Sequence, residues 1–284
     1  PRCSLTAAQA ATTFEDFKSQ YPTACIRVDN NLYLNHRKSN VTRDQFIEAM
    51  KKNNTVGTDV PMPVEILNPD MFDGCWESNE ESLNLNILRE LIKNKIKQSS
   101  IDLRLDCVGD FELNDYDYIL NCTYLQPTIG KELKYEVCML VCAEGFLSSA
   151  ITIMDGDFVS VYPAGAINHW TISSVPQTPI FRTDNLEDAK RFMANITAVE
   201  EKTFEDNIIN HATQYIDVSG LKRTGNYLVI KAKIKQDEND YRGTFWVHDP
   251  TSMSSSVVSG KISGALLAAK EIRELLDEIS ADRK

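Results

Sequence analysis

Apolar residues recur at helical spacing in five stretches of the chain. SLTAAQAATTFEDFKSQYP places Ala7, Ala10, Ala11, Phe14 and Phe17 behind a Ser/Thr cap, which predicts a helix from about Leu5 to Gln20, ended before Pro22. NVTRDQFIEAMKKN predicts a short capped helix. LNLNILRELIKNKIKQS gives the clearest pattern of the first half, with Leu85, Leu88, Leu91, Ile92 and Ile96 on one face. The stretch from Asn185 to Ile216 predicts helix broken near Thr197, its charges forming a solvated face. SGKISGALLAAKEIRELLDEI closes the chain as a long helix beginning at a glycine.

Between these stretches the period shortens to that of strands. ACIRVDNNLYLNHR predicts two strands around the turn-forming Asp29-Asn30-Asn31. PMPVEIL is expected to be extended, and DGCWES to hold a turn and a short strand. IDLRLDC and DYDYILNCTY follow the Leu85 helix as two more strands. LKYEVCMLVCA, SAITIMDG, DFVSVYPAG and HWTISSV then predict an antiparallel sheet that turns at Asp155-Gly156 and Pro163-Ala164-Gly165. YLVIKAKIKQ and GTFWVHDP supply the last two strands. The fold class is therefore α+β: α/β pieces around Leu83–Tyr124 and Thr244–Glu278 flank the antiparallel block, which is economically read as an insertion into one discontinuous domain.

Composition narrows the function classes. A net charge of −11 with no Lys/Arg block argues against a nucleic-acid partner and against docking on an anionic membrane. No apolar run approaches about 18 residues, so no membrane span is expected, and no signal peptide is read at the start. The cysteines are Cys3, Cys25, Cys75, Cys107, Cys122, Cys138 and Cys142, odd in number and scattered. They read as reduced thiols in a cytoplasmic protein, and no close Cys/His pairs suggest zinc, so no metal is expected. The N-x-[ST] triplets at Asn40, Asn53, Asn121 and Asn195 are then chance matches. G-x-S-x-G, Walker A, HExxH and C-x-x-C patterns are all lacking, and the carboxylates are too dispersed to nominate a glycosidase pair.

Four segments, in order and at plausible spacing across the chain, carry a resemblance. Pro1-Arg2-Cys3-Ser4-Leu5-Thr6-Ala7 is similar to the end of a "GYHYPRS–TA" stretch. Tyr118-Ile119-Leu120-Asn121-Cys122-Thr123-Tyr124 is similar to a "D-x-V-x-N-x-T" strand. Thr152 to Pro163 matches "MDG-x-F-x-S-x-Y-P", with His169-Trp170-Thr171-Ile172 where "YTLTH" would stand. Ser259-Gly260-Lys261-Ile262 is similar to a closing "GKI" before the last helix. Together they resemble FAD-dependent oxidoreductases of the D-amino-acid-oxidase superfamily, nearest a branch encoded among bacterial surface-polysaccharide genes.

The resemblance implies a Rossmann-like FAD domain interleaved with an antiparallel-sheet substrate domain. The FAD domain would take residues 1–22, 76–125 and 236–284, and the substrate domain 23–75 and 126–235. FAD is the implied cofactor and a small molecule the implied partner, and a homo-oligomer or larger assembly is compatible. The glycine-rich G-x-G-x-x-G turn that seats the pyrophosphate in such folds is not found here, so Pro1 reads as a mid-protein residue. In the family roughly 60 residues, fingerprint included, precede this point.

The resemblance also assigns roles. Gly260, Lys261 and Ile262 would begin a helix whose free N–H groups and lysine suit an anionic reduced flavin. Asn121 and Thr123 would lie near the cofactor's phosphates or ribitol, and Arg2 would join the cofactor contacts. Arg242, in Asp240-Tyr241-Arg242, would clamp a substrate carboxylate. Tyr162, His169 and Trp170 would line the substrate pocket, with His169 able to relay a proton. His248 has the weaker standing of a lone histidine. The chemistry would be removal of a hydride from a C–N or C–OH carbon of an amino acid, amine or sugar-like molecule. Two other readings are a flavoprotein-like fold serving as a structural or interaction subunit, and a sugar- or nucleotide-binding module without redox chemistry.

Overall fold

The computed structural model describes residues 4–52, 57–107, 116–125, 132–165, 168–235 and 243–282. Helix α1 (Ser4–Gln20) leads into strands β1 (Cys25–Arg27) and β2 (Asn31–His36), then α2 (Arg43–Lys52), β3 (Phe72–Glu77), β4 (Glu81–Leu83) and α3 (Leu85–Lys97). Strands β5 (Ile119–Asn121), β6 (Leu133–Gly145), β7 (Ala150–Met154), β8 (Val159–Pro163), β9 (His169–Ser174) and β10 (Pro179–Thr183) follow. Helices α4 (Leu186–Ala194) and α5 (Ala198–Ala212), strands β11 (Leu221–Ile234), β12 (Thr244–Asp249) and β13 (Ser254–Ser259), and helix α6 (Gly264–Asp282) complete the order.

The described residues form two compact units. The first comprises Ala24–Leu85 and Leu133–Lys233. Its eight-stranded sheet runs β10-β6-β9-β8-β7-β2-β3, with β11 also pairing β6. The expected antiparallel block is present, β6, β9, β8 and β7 pairing antiparallel in turn, and the sheet becomes mixed only where β2 joins it. β7 runs parallel to β2, with Tyr33 opposite Thr152, and β1 pairs with β4 rather than forming a hairpin with β2. PMPVEIL makes only an isolated bridge, Ile66 to Ile216, where a longer extended segment was expected. One sheet face carries Leu34, Val141, Ile151, Val161 and Ile172 and packs against Ile208, Ala212 and Ile216 at and beyond α5. α5 begins where the sequence breaks its helical run. Thr197 accepts from Glu200 N–H, and the Glu200 carboxylate accepts in return from Thr197 N–H.

The second unit comprises the described parts of Cys3–Thr23, Asn86–Glu132 and Ile234–Lys284. Its sheet has the order β12-β13-β5, antiparallel between β12 and β13 and parallel between β13 and β5. β13 (SSSVVS) was not visible as a strand in the sequence, yet it is the central one. Ser255 and Ser256 are buried in it, with Tyr118 Oη 2.5 Å from Ser255 Oγ and 3.0 Å from His248 Nδ1. α1 is tied to this sheet by Gln9, whose amide donates to Thr244 O at 2.9 Å and accepts from Thr244 N–H at 2.6 Å. IDLRLDC is not a strand: 101–105 has no sheet partner among the described residues, and Ile101, Leu103 and Leu105 are 61%, 51% and 72% exposed. An alternating pattern makes a strand only where a neighbour takes its hydrogen bonds. The apolar face of α3 is also thinly covered, with Leu88 buried while Leu85 and Ile92 stay exposed. No helix among the described residues is long and apolar enough to cross a membrane.

Candidate functional site

In the second unit, β5 and β13 run the same way, with Asn121 opposite Ser256. Their C-terminal ends therefore point to one edge, the edge at which open parallel sheets bind ligands. Asn121 and Thr123 stand at the end of β5, and Gly260-Lys261-Ile262 at the end of β13, so the parallel pairing gathers five of the nominated residues at that edge. Asn121 Oδ1 accepts from Thr123 N–H at 3.0 Å and from Thr123 Oγ1 at 2.8 Å, which locks the turn after β5. Tyr124 then takes φ 62°, in the left-handed region.

Helix α6 starts at Gly264, so Gly260-Lys261-Ile262 is the turn before it and not its first turn. Ser259 closes that turn, donating to Lys261 O at 2.6 Å. A side chain at Gly264 would meet Thr244 Oγ1 at 1.8 Å, which is why the helix can press against β12 only through glycine. Lys261 and Ile262 remain exposed, Ile262 at 49%. Among the described residues the N–H groups of Ile262 and Ser263 meet no acceptor; Lys261 and Ile262 are exposed, while Ser263 is buried with its hydroxyl accepting from Thr13 at 3.1 Å. This donor set fits an anionic, carbonyl-rich heterocycle edge such as that of a flavin; it does not supply the glycine cradle that a pyrophosphate needs.

In the first unit, strand alternation separates residues expected together. Trp170 is buried on the α5 side, donating from Nε1 to Gly145 O at 3.0 Å, so it does not line a pocket with Tyr162. Tyr162 lies opposite Thr171 on the other face, which His169 shares by alternation. His169 is exposed, with Nδ1 3.4 Å from Glu144 Oε1, and no contact joins it to Tyr162 among the described residues. His248 sits within β12, its Nδ1 shared between Tyr118 Oη and Ser254 O at 3.1 Å. Arg2 and Arg242 lie outside the described residues.

What surrounds Tyr162 was not foreseen. Fully buried Asn31 donates through Nδ2 to Tyr162 Oη and to the main-chain oxygen of Glu80, both at 3.2 Å. Tyr33 donates its phenol to Glu80 Oε2. Burial pushes the Tyr162 phenol up to about 12, aided by the Glu80 charge. Burial and Glu80 together hold the Tyr33 phenol well above its usual range. The signal was present in NLYLNH: Asn31, Tyr33 and Asn35 alternate with leucines on a strand that is buried or half-buried throughout.

No family model matches the sequence. The chain is 23% identical over 301 residues to "FAD-dependent monooxygenase FPY4" of Fusarium mangiferae, covering 98% of this chain and 78% of that protein. Its structure is similar to that of L-proline dehydrogenase from P. horikoshii, at TM-score 0.61, 10% identity, 91% of this chain and 74% of that one. It is also similar to glycine oxidase from Geobacillus kaustophilus, at TM-score 0.56, 9% identity, 92% of this chain and 76% of that one. The fold is the one these two proteins share. The α+β expectation is met, the first unit holding a multi-strand mixed sheet and the second a smaller sheet that contains a parallel pair.

Proposed function

We propose that this protein is an FAD-dependent oxidoreductase that removes a hydride from the C–N or C–OH carbon of a small amino-acid-like, amine or sugar-like molecule. The observation that carries this reading is the convergence of Asn121, Thr123, Gly260, Lys261 and Ile262 at one edge of the β5/β13 pair, in a fold similar to two amino-acid-oxidising enzymes. On this reading the second unit holds FAD and the first binds substrate. Bound FAD supplies the hydride acceptor. The Ile262 and Ser263 N–H groups and the Lys261 ammonium hold the negative charge that accumulates at the ring edge. Asn121 and Thr123 orient the nucleotide side. Arg242 clamps a substrate carboxylate, and the Tyr162 and His169 face of the first-unit sheet shapes the pocket. The Thr152–Pro163 and Ser259–Ile262 segments support placement near the surface-polysaccharide branch.

The test is reconstitution of the purified chain with FAD, followed by anaerobic addition of L-proline, glycine or a simple amine. The expected result is a protein-bound band between roughly 350 and 500 nm that bleaches with at least one of them. Lys261→Met is expected to slow bleaching by on the order of tenfold while the fold is kept, since the residue is exposed. A chain that retains no flavin would shift the reading to a structural or interaction subunit.

A further inference from the structure

We propose that Glu80, Tyr33 and Tyr162 form an amine-recognition subsite on the first unit that takes the ammonium group of a small substrate. The ligand's standing as substrate rests on the oxidoreductase reading; the binding itself does not.

Glu80 is half-buried, and among the described residues no lysine, arginine or histidine pairs with it. One of its oxygens accepts from Tyr33, and the other meets no protein donor among the described residues. A half-buried carboxylate without a counter-ion, with one oxygen still open to a donor, can accept a cation. The loop does not need this charge for its shape. Its main chain is already held: Glu80 N–H donates to Ser78 Oγ at 3.2 Å, and Glu80 O accepts from Asn31. A glutamine would still accept from Tyr33, though more weakly, and one carboxylate oxygen is left for a further donor.

The two phenols complete the chemistry. Both stay protonated at neutral pH, so neither adds charge. Tyr162 Oη is fixed by Asn31 and keeps a lone pair for a further donor. Tyr33 is backed by Phe46 at a ring distance of 6.1 Å and held by its hydrogen bond to Glu80. A carboxylate oxygen, a phenol oxygen and aromatic rings are what an organic ammonium binds, whereas a carboxylate-bearing end would be repelled. The buried Asn31, whose Oδ1 meets no partner among the described residues, is the positioning residue that sets Tyr162 against Glu80.

Binding of benzylammonium, benzyl alcohol and benzoate to the full chain by titration calorimetry tests this without any flavin chemistry. Benzylammonium is expected to bind at least about tenfold more tightly than benzyl alcohol, with benzoate weakest. Glu80→Gln should abolish the preference for the ammonium. Tyr162→Phe, which keeps the ring, should weaken it severalfold and serves if the glutamine variant fails to fold. No preference in the wild-type chain, or an unchanged preference in Glu80→Gln, overturns the subsite. Ammonium binding by a chain that never holds flavin would uphold the subsite and sink the oxidoreductase reading. Flavin bleaching by amines at unchanged KM in Glu80→Gln would do the reverse.

Discussion

At the scale of single residues, the chain hides chemistry inside apolar surroundings. His36 is buried against Phe72, Phe158 and Tyr215, accepts from Lys38 N–H through Nδ1, and its Nε2 meets no partner among the described residues. Burial, with help from Lys38, lowers its pKa below the ordinary histidine value near 6.5, with Asp73 opposing. His211, 2.8 Å from Ser174 Oγ, is lowered in the same way by burial. The fold thus favours neutral imidazoles. Their contribution is complete above about pH 6.5 and is lost as pH falls through that value toward the folded pKa values, because the unfolded chain takes up protons first. Urea unfolding between about pH 7.5 and 5 should show stability falling on acidification, and His36→Phe should flatten that slope. An unaltered slope would assign the effect elsewhere. Gly264→Ala tests a steric limit: its Cβ would overlap Thr244 Oγ1, so a loss of about 1–3 kcal/mol is expected in the same assay. Tyr33 and Asn31 were legible only as an odd polar alternation. Nothing in a sequence announces that Glu80, 47 residues from Tyr33, accepts from it.

At the scale of elements, helices were easier to read than strands, for a physical reason. A helix satisfies its backbone within itself, so Phe14 and Phe17 or the Thr197–Glu200 box announce it locally. A strand depends on partners the sequence does not name. IDLRLDC has strand periodicity and no sheet partner among the described residues, while SSSVVS lacks the usual apolar run and holds the centre of a sheet. Its serines are tolerated there because they are hydrogen-bonded: Tyr118 clasps Ser255 and His248, joining β5 and β12 across β13. Tyr118→Phe should therefore cost about 1–2 kcal/mol and speed amide exchange at Leu120 and Asn121 before the rest of that unit. Uniform exchange across β5, β12 and β13 in that variant would show the clasp to be dispensable.

At the scale of the whole molecule, four short segments conveyed a fold that periodicity alone left at α+β, because resemblance compresses long-range pairing that no local pattern contains. The parallel β5/β13 pair, which puts Asn121 and Ser259–Ile262 at one edge, became visible only in three dimensions. The uncovered Ile101, Leu103 and Leu105 have a consequence for how the protein behaves in a tube. Like-charge repulsion from a net charge of −11 keeps copies apart in dilute buffer. Added salt shortens the reach of that repulsion to about 8 Å near physiological strength, and sulfate strengthens apolar association at the same time. The protein should therefore salt out early, and Leu103→Lys should raise the ammonium sulfate concentration at which turbidity begins.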